Sequence, residues 1–186
     1  MVVFIAIELD FRSREKISEY VREGIKPLCR GGRWVDRDNY HLTLKYIGRA
    51  SGEEINALCK LLGETAERFE GFTLGTGRVG VFGKSQGLKA RVLWMDCAGD
   101  TASLMNIRKH IEDGAVELGF PADRRFSPHI TLARDVVLTR QPDEIQPMNP
   151  IYFDVTSVSL MESRPERGGR VYVPLFVQRI GHPGRG

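Results

Sequence analysis

Residues 2–9, VVFIAIEL, are a short run of β-branched and aromatic positions, the pattern of a buried strand. After Asp10 the period changes. Ile17, Tyr20, Val21, Ile25 and Leu28 recur at three- and four-residue spacing, one face of a helix that ends near Pro27. RGGRWVDRDNY reads as a loop that edges into a strand at Trp34, and HLTLKYIG alternates as a strand until Gly48. Ser51 and Glu54 form a capping box that opens a second helix running to Phe69, with Ile55, Leu58, Leu62 and Phe69 inward. FTLGTGRVGVF and KARVLWMDC predict two strands around the turn GKSQG. Asp100 or Thr101 caps a third helix, which buries Leu104, Ile107, Ile111, Ala115 and Leu118. HITLARD, IYFDVTSVSLMES and RVYVPLFVQRI predict three late strands, the last two joined by the basic loop RPERGGR. The tail 181–186 is expected to be disordered.

Two of these strands carry the same polar pattern. His41-Leu42-Thr43-Leu44 returns 88 residues later as His129-Ile130-Thr131-Leu132, in a chain with only four histidines. Sliding the chain by 88 also lays FIAIE (4–8) on VLWMD (92–96), and the first helix on the third. Both halves therefore run strand, helix, loop, motif strand. The expected fold is α+β: two similar lobes with antiparallel sheets related by a pseudo-two-fold, helices outside, and a central groove receiving both motifs. Residues 1–186 are expected to form one two-lobed domain.

Composition narrows the setting more than the chemistry. With 41% hydrophobic and 27% charged residues the chain is an ordinary globular one, able to bury a core without staples. Cys29, Cys59 and Cys97 form no CxxC pair, so neither a disulfide framework nor a zinc ribbon is indicated. No run approaches the roughly 20 apolar residues of a membrane span, and the opening segment lacks the basic start of a signal peptide. These features fit a cytoplasmic protein that is not bound to a membrane. The formal charge of +3 is too small to mark a nucleic-acid binder, yet suits an anionic ligand if arginines cluster.

On a strand, His41 and Thr43 share one face while Leu42 and Leu44 share the other, and the second motif repeats this. A tetrad of this kind arises by chance at on the order of one position in ten thousand. Taken singly, each histidine is ordinarily a satisfied core group; the pair in register with a duplication is not. Two imidazoles on rigid mounts can flank one phosphorus centre, one accepting a proton and the other donating it. Two hydroxyls can hold the phosphate oxygens, and Arg134, with Lys45 as the weaker choice, supplies the cation. No metal is needed for this scheme. Trp34, Tyr46 and Phe126 flank the motifs as stacking candidates, with core packing expected for at least two of them. Glu8 and Asp96 occupy equivalent places beside the motifs, and the runs 30–33 and 164–170 are basic loops that RNA could follow. His110, among helix charges, is expected at the surface, and His182 lies in the tail.

With these residues in view, the sequence resembles the 2H phosphoesterase superfamily, and within it the bacterial and archaeal RNA 2′,3′-cyclic phosphodiesterases, also called 2′-5′ RNA ligases. The likeness rests on VFIAIEL, RWVDRDNYHLTLKYIG, RVLWMD, FSPHITLAR and SVSLMES, and so covers nearly the whole chain. It implies metal-independent hydrolysis of RNA 2′,3′-cyclic phosphate ends, or of small nucleotide 2′,3′-cyclic phosphates, to 2′-phosphomonoesters, without a cofactor. It also implies that His41 is the general acid and His129 the base, and that Thr43, Thr131 and Arg134 hold the phosphate. Spacing alone leaves the acid and base labels interchangeable. The same residues would serve 2′-5′ RNA joining. A monomer is expected. The alternative is a non-catalytic module that retains an RNA end or 2′-phosphate; a second intact histidine argues against it, because retention needs no second acid or base.

Overall fold

The computed structural model describes residues 1–84, 88–167 and 169–181. Its strands are β1 (Val2–Glu8), β2 (Cys29–Trp34), β3 (His41–Arg49), β4 (Phe72–Lys84), β5 (Lys89–Gly99), β6 (His129–Leu138), β7 (Tyr152–Val155), β8 (Ser157–Glu166) and β9 (Gly169–Arg179). Three α-helices intervene, α1 (Phe11–Tyr20), α2 (Gly52–Arg68) and α3 (Thr101–Glu117). The strands join in the order β7-β4-β5-β6-β3-β1-β8-β9, with β2 paired to β6 and every neighbour antiparallel.

The sequence offset reappears as geometry. β1 pairs with β3 so that Glu8 faces His41, and β5 pairs with β6 so that Asp96 faces His129. The halves β9-β8-β1-β3 and β7-β4-β5-β6 meet at one pair, Leu42 with Ile130, themselves 88 residues apart. The pseudo-two-fold therefore passes between the two motif strands. Symmetry stops after them, since α2 follows β3 whereas only a short 3-10 turn, Pro142–Glu144, follows β6.

Apolar side chains explain the layers. Ile5, Ile7, Leu42, Leu44, Leu93, Met95, Ile130 and Leu132 are buried on the sheet face that receives Leu58 and Leu62 of α2 and Leu104, Ile107 and Ile111 of α3. The Ser51–Glu54 capping box forms as expected, and Asp10 and Asp100 cap the other two helices. Among the described residues no helix is long and apolar enough to cross a membrane.

Several local expectations are corrected. RGGRW is strand, not loop: Gly31 and Gly32 take positive φ and let an exposed edge ribbon pair with β6, where a Cβ on Gly32 would stand 2.9 Å from Val136. Strand β2 lacks apolar alternation because four of its six residues face solvent. RPERGGR is not a free loop either; β8 runs to Glu166 and β9 starts at Gly169. IYFDVTSVSLMES divides at Thr156, sending β7 to β4 in one half and β8 to β1 in the other. Beyond Tyr20 the first helix widens into a π turn, Val21–Ile25, before Pro27 ends it. Gly181 is held by the Gly71 amide at 2.7 Å. The rest of the expected tail, His182 included, and the turn 85–87 lie outside the described residues.

Candidate active site

Each motif strand carries a β-bulge at its fourth motif residue. Ala6 pairs with Thr43 and Ile5 with Lys45, leaving Leu44 as the extra residue; Trp94 pairs with Thr131 and Leu93 with Ala133, leaving Leu132 extra. The bulge shifts the alternation by one. Leu44 and Lys45, like Leu132 and Ala133, are buried on the helix side, while Tyr46 and Arg134 join the histidines and threonines in the groove. Strict alternation would bury Arg134, which stands an odd three residues after Thr131. The bulge is what aims it.

His41, Thr43, His129, Thr131 and Arg134, the five residues singled out from sequence, line one cavity of about 440 Å³. Val2, Phe4, Val35, Tyr46, Ser163, Arg170 and Tyr172 complete its wall. The Leu42–Ile130 pairing, continued one residue each way, sets His41 toward Thr131 and Thr43 toward His129. A larger cleft of about 670 Å³ at the edge of β4 holds Arg78, Trp94 and Asp96 but neither imidazole.

Both rings are oriented by the same local device. His41 Nδ1 lies 2.7 Å from the Asn39 carbonyl and His129 Nδ1 lies 2.7 Å from the Ser127 carbonyl, each two residues upstream. A carbonyl only accepts, so Nδ1 carries the proton and Nε2 of the neutral ring is left with its lone pair. In the first motif the Thr43 hydroxyl stands 3.0 Å from that Nε2.

Aromatic side chains bracket each imidazole. Phe4 and Tyr172 sit 5.0 and 4.9 Å from the His41 ring, while Phe82 and Trp94 sit 5.1 and 6.3 Å from the His129 ring. Burial among these rings pushes both histidines below their ordinary value, against the opposing pull of the two carbonyl bonds. His129 and Arg134 lower His41 further by charge repulsion, and Arg134 does the same to His129. Both shifts favour the uncharged form of the two imidazoles in the free site, beside the Arg134 guanidinium. Among the described residues no three His, Cys, Asp or Glu groups gather as metal ligands.

The geometry has a counterpart in known proteins. The family model described as the 2′-5′ RNA ligase superfamily matches residues 17–167. The chain belongs to this superfamily. It is 34% identical to an RNA 2′,3′-cyclic phosphodiesterase of Escherichia coli across 93% of either chain. It is 28% identical to one of Geobacillus stearothermophilus, covering 98% of this chain but spanning 60% of the relative's length. A crystal structure of E. coli LigT complexed with 3′-AMP superposes with a TM-score of 0.75 at 30% identity, over 96% of this chain and 97% of that one.

Within this superfamily member the remaining sequence candidates separate cleanly. Lys45 is not a site cation. The bulge turns it under α3, where its ammonium meets Glu112 at 2.9 Å, Asp123 at 3.3 Å and the Pro121 carbonyl at 2.6 Å. Trp34 and Phe126 pack on the core, the latter beneath the Arg108 guanidinium at 4.6 Å; Tyr46 alone of the three lines the cavity, 62% exposed. Glu8 accepts a bond from the Ser159 hydroxyl at 2.6 Å, and Asp96 lies against Gly77, where a Cβ would stand 2.4 Å from its carboxylate oxygen. His110 is half-buried rather than fully at the surface: its ring packs 5.5 Å from Phe69 and its Nε2 is covered. Phe4, Tyr172, Phe82 and Ser163 were not identified as site residues from sequence, and Arg170 only as the end of the basic run 164–170. Phe4 lies within the offset match 4–8, where only its apolar character was read, and the others lie on strands outside that match.

Proposed function

We propose that this protein hydrolyses RNA 2′,3′-cyclic phosphate ends to 2′-phosphomonoesters, using His41 and His129 as the acid–base pair and no metal. The carrying observation is the pair of imidazoles in one cavity, each with Nδ1 tied to a carbonyl two residues upstream and Nε2 left for proton transfer. His129 Nε2 takes a proton from water as the water oxygen bonds to phosphorus. The bond from phosphorus to O3′ breaks, and protonated His41 gives its proton to O3′. Thr43 and Thr131 donate to the phosphate oxygens, and Arg134 offsets the charge that builds on them. The acid label for His41 rests on the family resemblance and is supported by Thr43, whose hydroxyl can accept from Nε2–H once that ring is protonated. A 5′-hydroxyl entering in place of water would give a 2′-5′ linkage through the same groups.

Each half contributes one histidine, so residues 1–186 act as one two-lobed unit. We place it in the cytoplasm as a monomer; light scattering at working concentration checks the last point. The deciding assay incubates 2′,3′-cyclic and 3′,5′-cyclic nucleotides with excess chelator and assigns the product by phosphorus NMR. Turnover of the 2′,3′-cyclic substrate alone, to a 2′-phosphate, is expected, and His41→Ala and His129→Ala should each abolish it. Dependence on a divalent ion, or tight binding without product, would reject the mechanism.

A further inference from the structure

The cavity holds two guanidinium groups, and the proposed reaction uses one. Arg134 stands on β6 beside the second motif, whereas Arg170 enters from β9 in the other half. Among the described residues neither is ion-paired with a carboxylate. Arg170 is nonetheless held: its Nη1 donates to the Ser163 hydroxyl at 2.9 Å, and Ser163 is buried on the neighbouring strand β8.

A single residue locks Arg170 to the first imidazole. The Asn39 carbonyl accepts from His41 Nδ1 at 2.7 Å. The Asn39 side chain donates to the Arg170 carbonyl at 2.7 Å and accepts from the Tyr172 amide at 3.3 Å. The Tyr172 ring in turn touches His41 at 4.9 Å. Arg170 lies two residues before Tyr172 on β9, roughly 7 Å along the strand, so both side chains point to one side and both line the cavity. A terminal cyclic phosphate carries one negative charge, which Arg134 and the protonated histidine already meet. A second cation in the same cavity, entering from the other half and held by Ser163, matches a second anion.

We propose that Arg170 binds the phosphate on the 5′ side of the terminal nucleoside, so that the site selects a cyclic-phosphate RNA end over a free cyclic mononucleotide. This rests on the cyclic-phosphate reading above. The other basic exit is a smaller cavity of about 190 Å³ that shares Arg134 and adds Arg33 and Arg91, but there Arg33 is already paired with Asp135.

The test compares adenosine 2′,3′-cyclic phosphate with the dinucleotide ApA ending in the same cyclic phosphate, for wild type, Arg170→Gln and Arg91→Gln. One charge-assisted phosphate contact corresponds to roughly a tenfold effect or more. Wild type should prefer the dinucleotide, and Arg170→Gln should shrink that preference about tenfold, mainly through KM, while Arg91→Gln retains it. The slope of log kcat/KM against log salt for the dinucleotide should flatten by about 0.7, the share of one phosphate on a single strand. Equal losses on both substrates would put Arg170 on the reacting phosphate and overturn the proposal, as would collapse of the preference in Arg91→Gln instead. Calorimetric binding of ApA 2′-phosphate against adenosine 2′-phosphate decides the same ratio without turnover. If wild type hydrolyses neither substrate the activity reading fails, while the binding ratio still judges Arg170. Equal melting temperatures of wild type and Arg170→Gln exclude a folding defect.

Discussion

Replacing Lys45 with methionine separates a buried structural ion pair from a catalytic cation. The stem keeps its volume while the ammonium, on a residue only 1% exposed, disappears from among Glu112, Asp123 and the Pro121 carbonyl. Removing one partner of a buried pair costs about 3–5 kcal/mol. Glu112 retains Arg108 at 3.0 Å and the Asp123 amide at 2.7 Å, which argues for the lower end. A chain of this size loses roughly 2–4 °C of Tm per kcal/mol, so a fall of about 6–12 °C is expected. Burial drives the Glu112 carboxyl upward, but the Asp123 amide, Lys45 and Arg108 together hold it below its ordinary 4.5. A depressed carboxyl stabilises the fold above that value, and the contribution is lost as pH falls below it, so the variant should show a smaller acid-induced loss than wild type. Thermal melts at pH 7 and pH 4, together with a double-mutant cycle to Glu112→Gln, measure these quantities; the double variant should recover part of the loss. Activity well below Tm should stay near wild type, because the ammonium lies across the sheet from the cavity. An unchanged Tm, or a fully folded variant without turnover, would refute the assignment.

Three further outcomes follow from the site. Both imidazoles lie below 6.5 for the reasons of burial and repulsion given above, and catalysis needs one of them charged and one neutral. The bell of kcat/KM should therefore centre on the acid side of that value and fall through neutrality; a maximum above neutral pH in a profile of the free enzyme contradicts it. Tyr172→Ala opens the His41 ring to water and should raise its pKa toward the ordinary value in a histidine NMR titration, and an unmoved or lowered pKa would discount the aromatic bracket. Thr43→Val keeps a strand-forming shape while deleting a donor to charged oxygen, so kcat/KM should drop roughly 10- to 100-fold with little change in Tm.

The sequence was most legible where local periodicity and the duplication agree. The offset of 88 made Glu8 and Asp96 equivalent by position, and the strand pairing sets each opposite the histidine of its own half. The site residues that follow from alternation alone, His41, Thr43, His129 and Thr131, all reached one cavity. Features set by long-range pairing were hidden. A bulge leaves no local mark at Leu44, so Lys45 looked like a groove cation. Edge strand β2 carries glycine and arginine instead of apolar alternation, and the break at Thr156 depends on which half captures each segment. The aromatic brackets escaped because each half builds its own from different strands, β1 and β9 around His41 but β4 and β5 around His129.

A bulge at the fourth motif residue of each half also determines what stands five positions beyond the histidine. In the second half that place holds Arg134; in the first it holds Tyr46, on the same groove wall and 88 residues earlier. The pseudo-two-fold through Leu42 and Ile130 thus gives a phosphate at its centre two equivalent approaches for a guanidinium, of which only one is used. Arg134→Ala should lose about 10²–10³ in turnover if the charge stabilises the transition state. Adding Tyr46→Arg to that variant should restore at least about tenfold, because the bulge at Leu44 aims position 46 as the bulge at Leu132 aims position 134. Tyr46 is largely exposed, so the exchange leaves the core intact. A folded double variant no faster than Arg134→Ala would mean that the two halves present the phosphate to unequal geometry, and that the duplication of the bulge carries no functional equivalence.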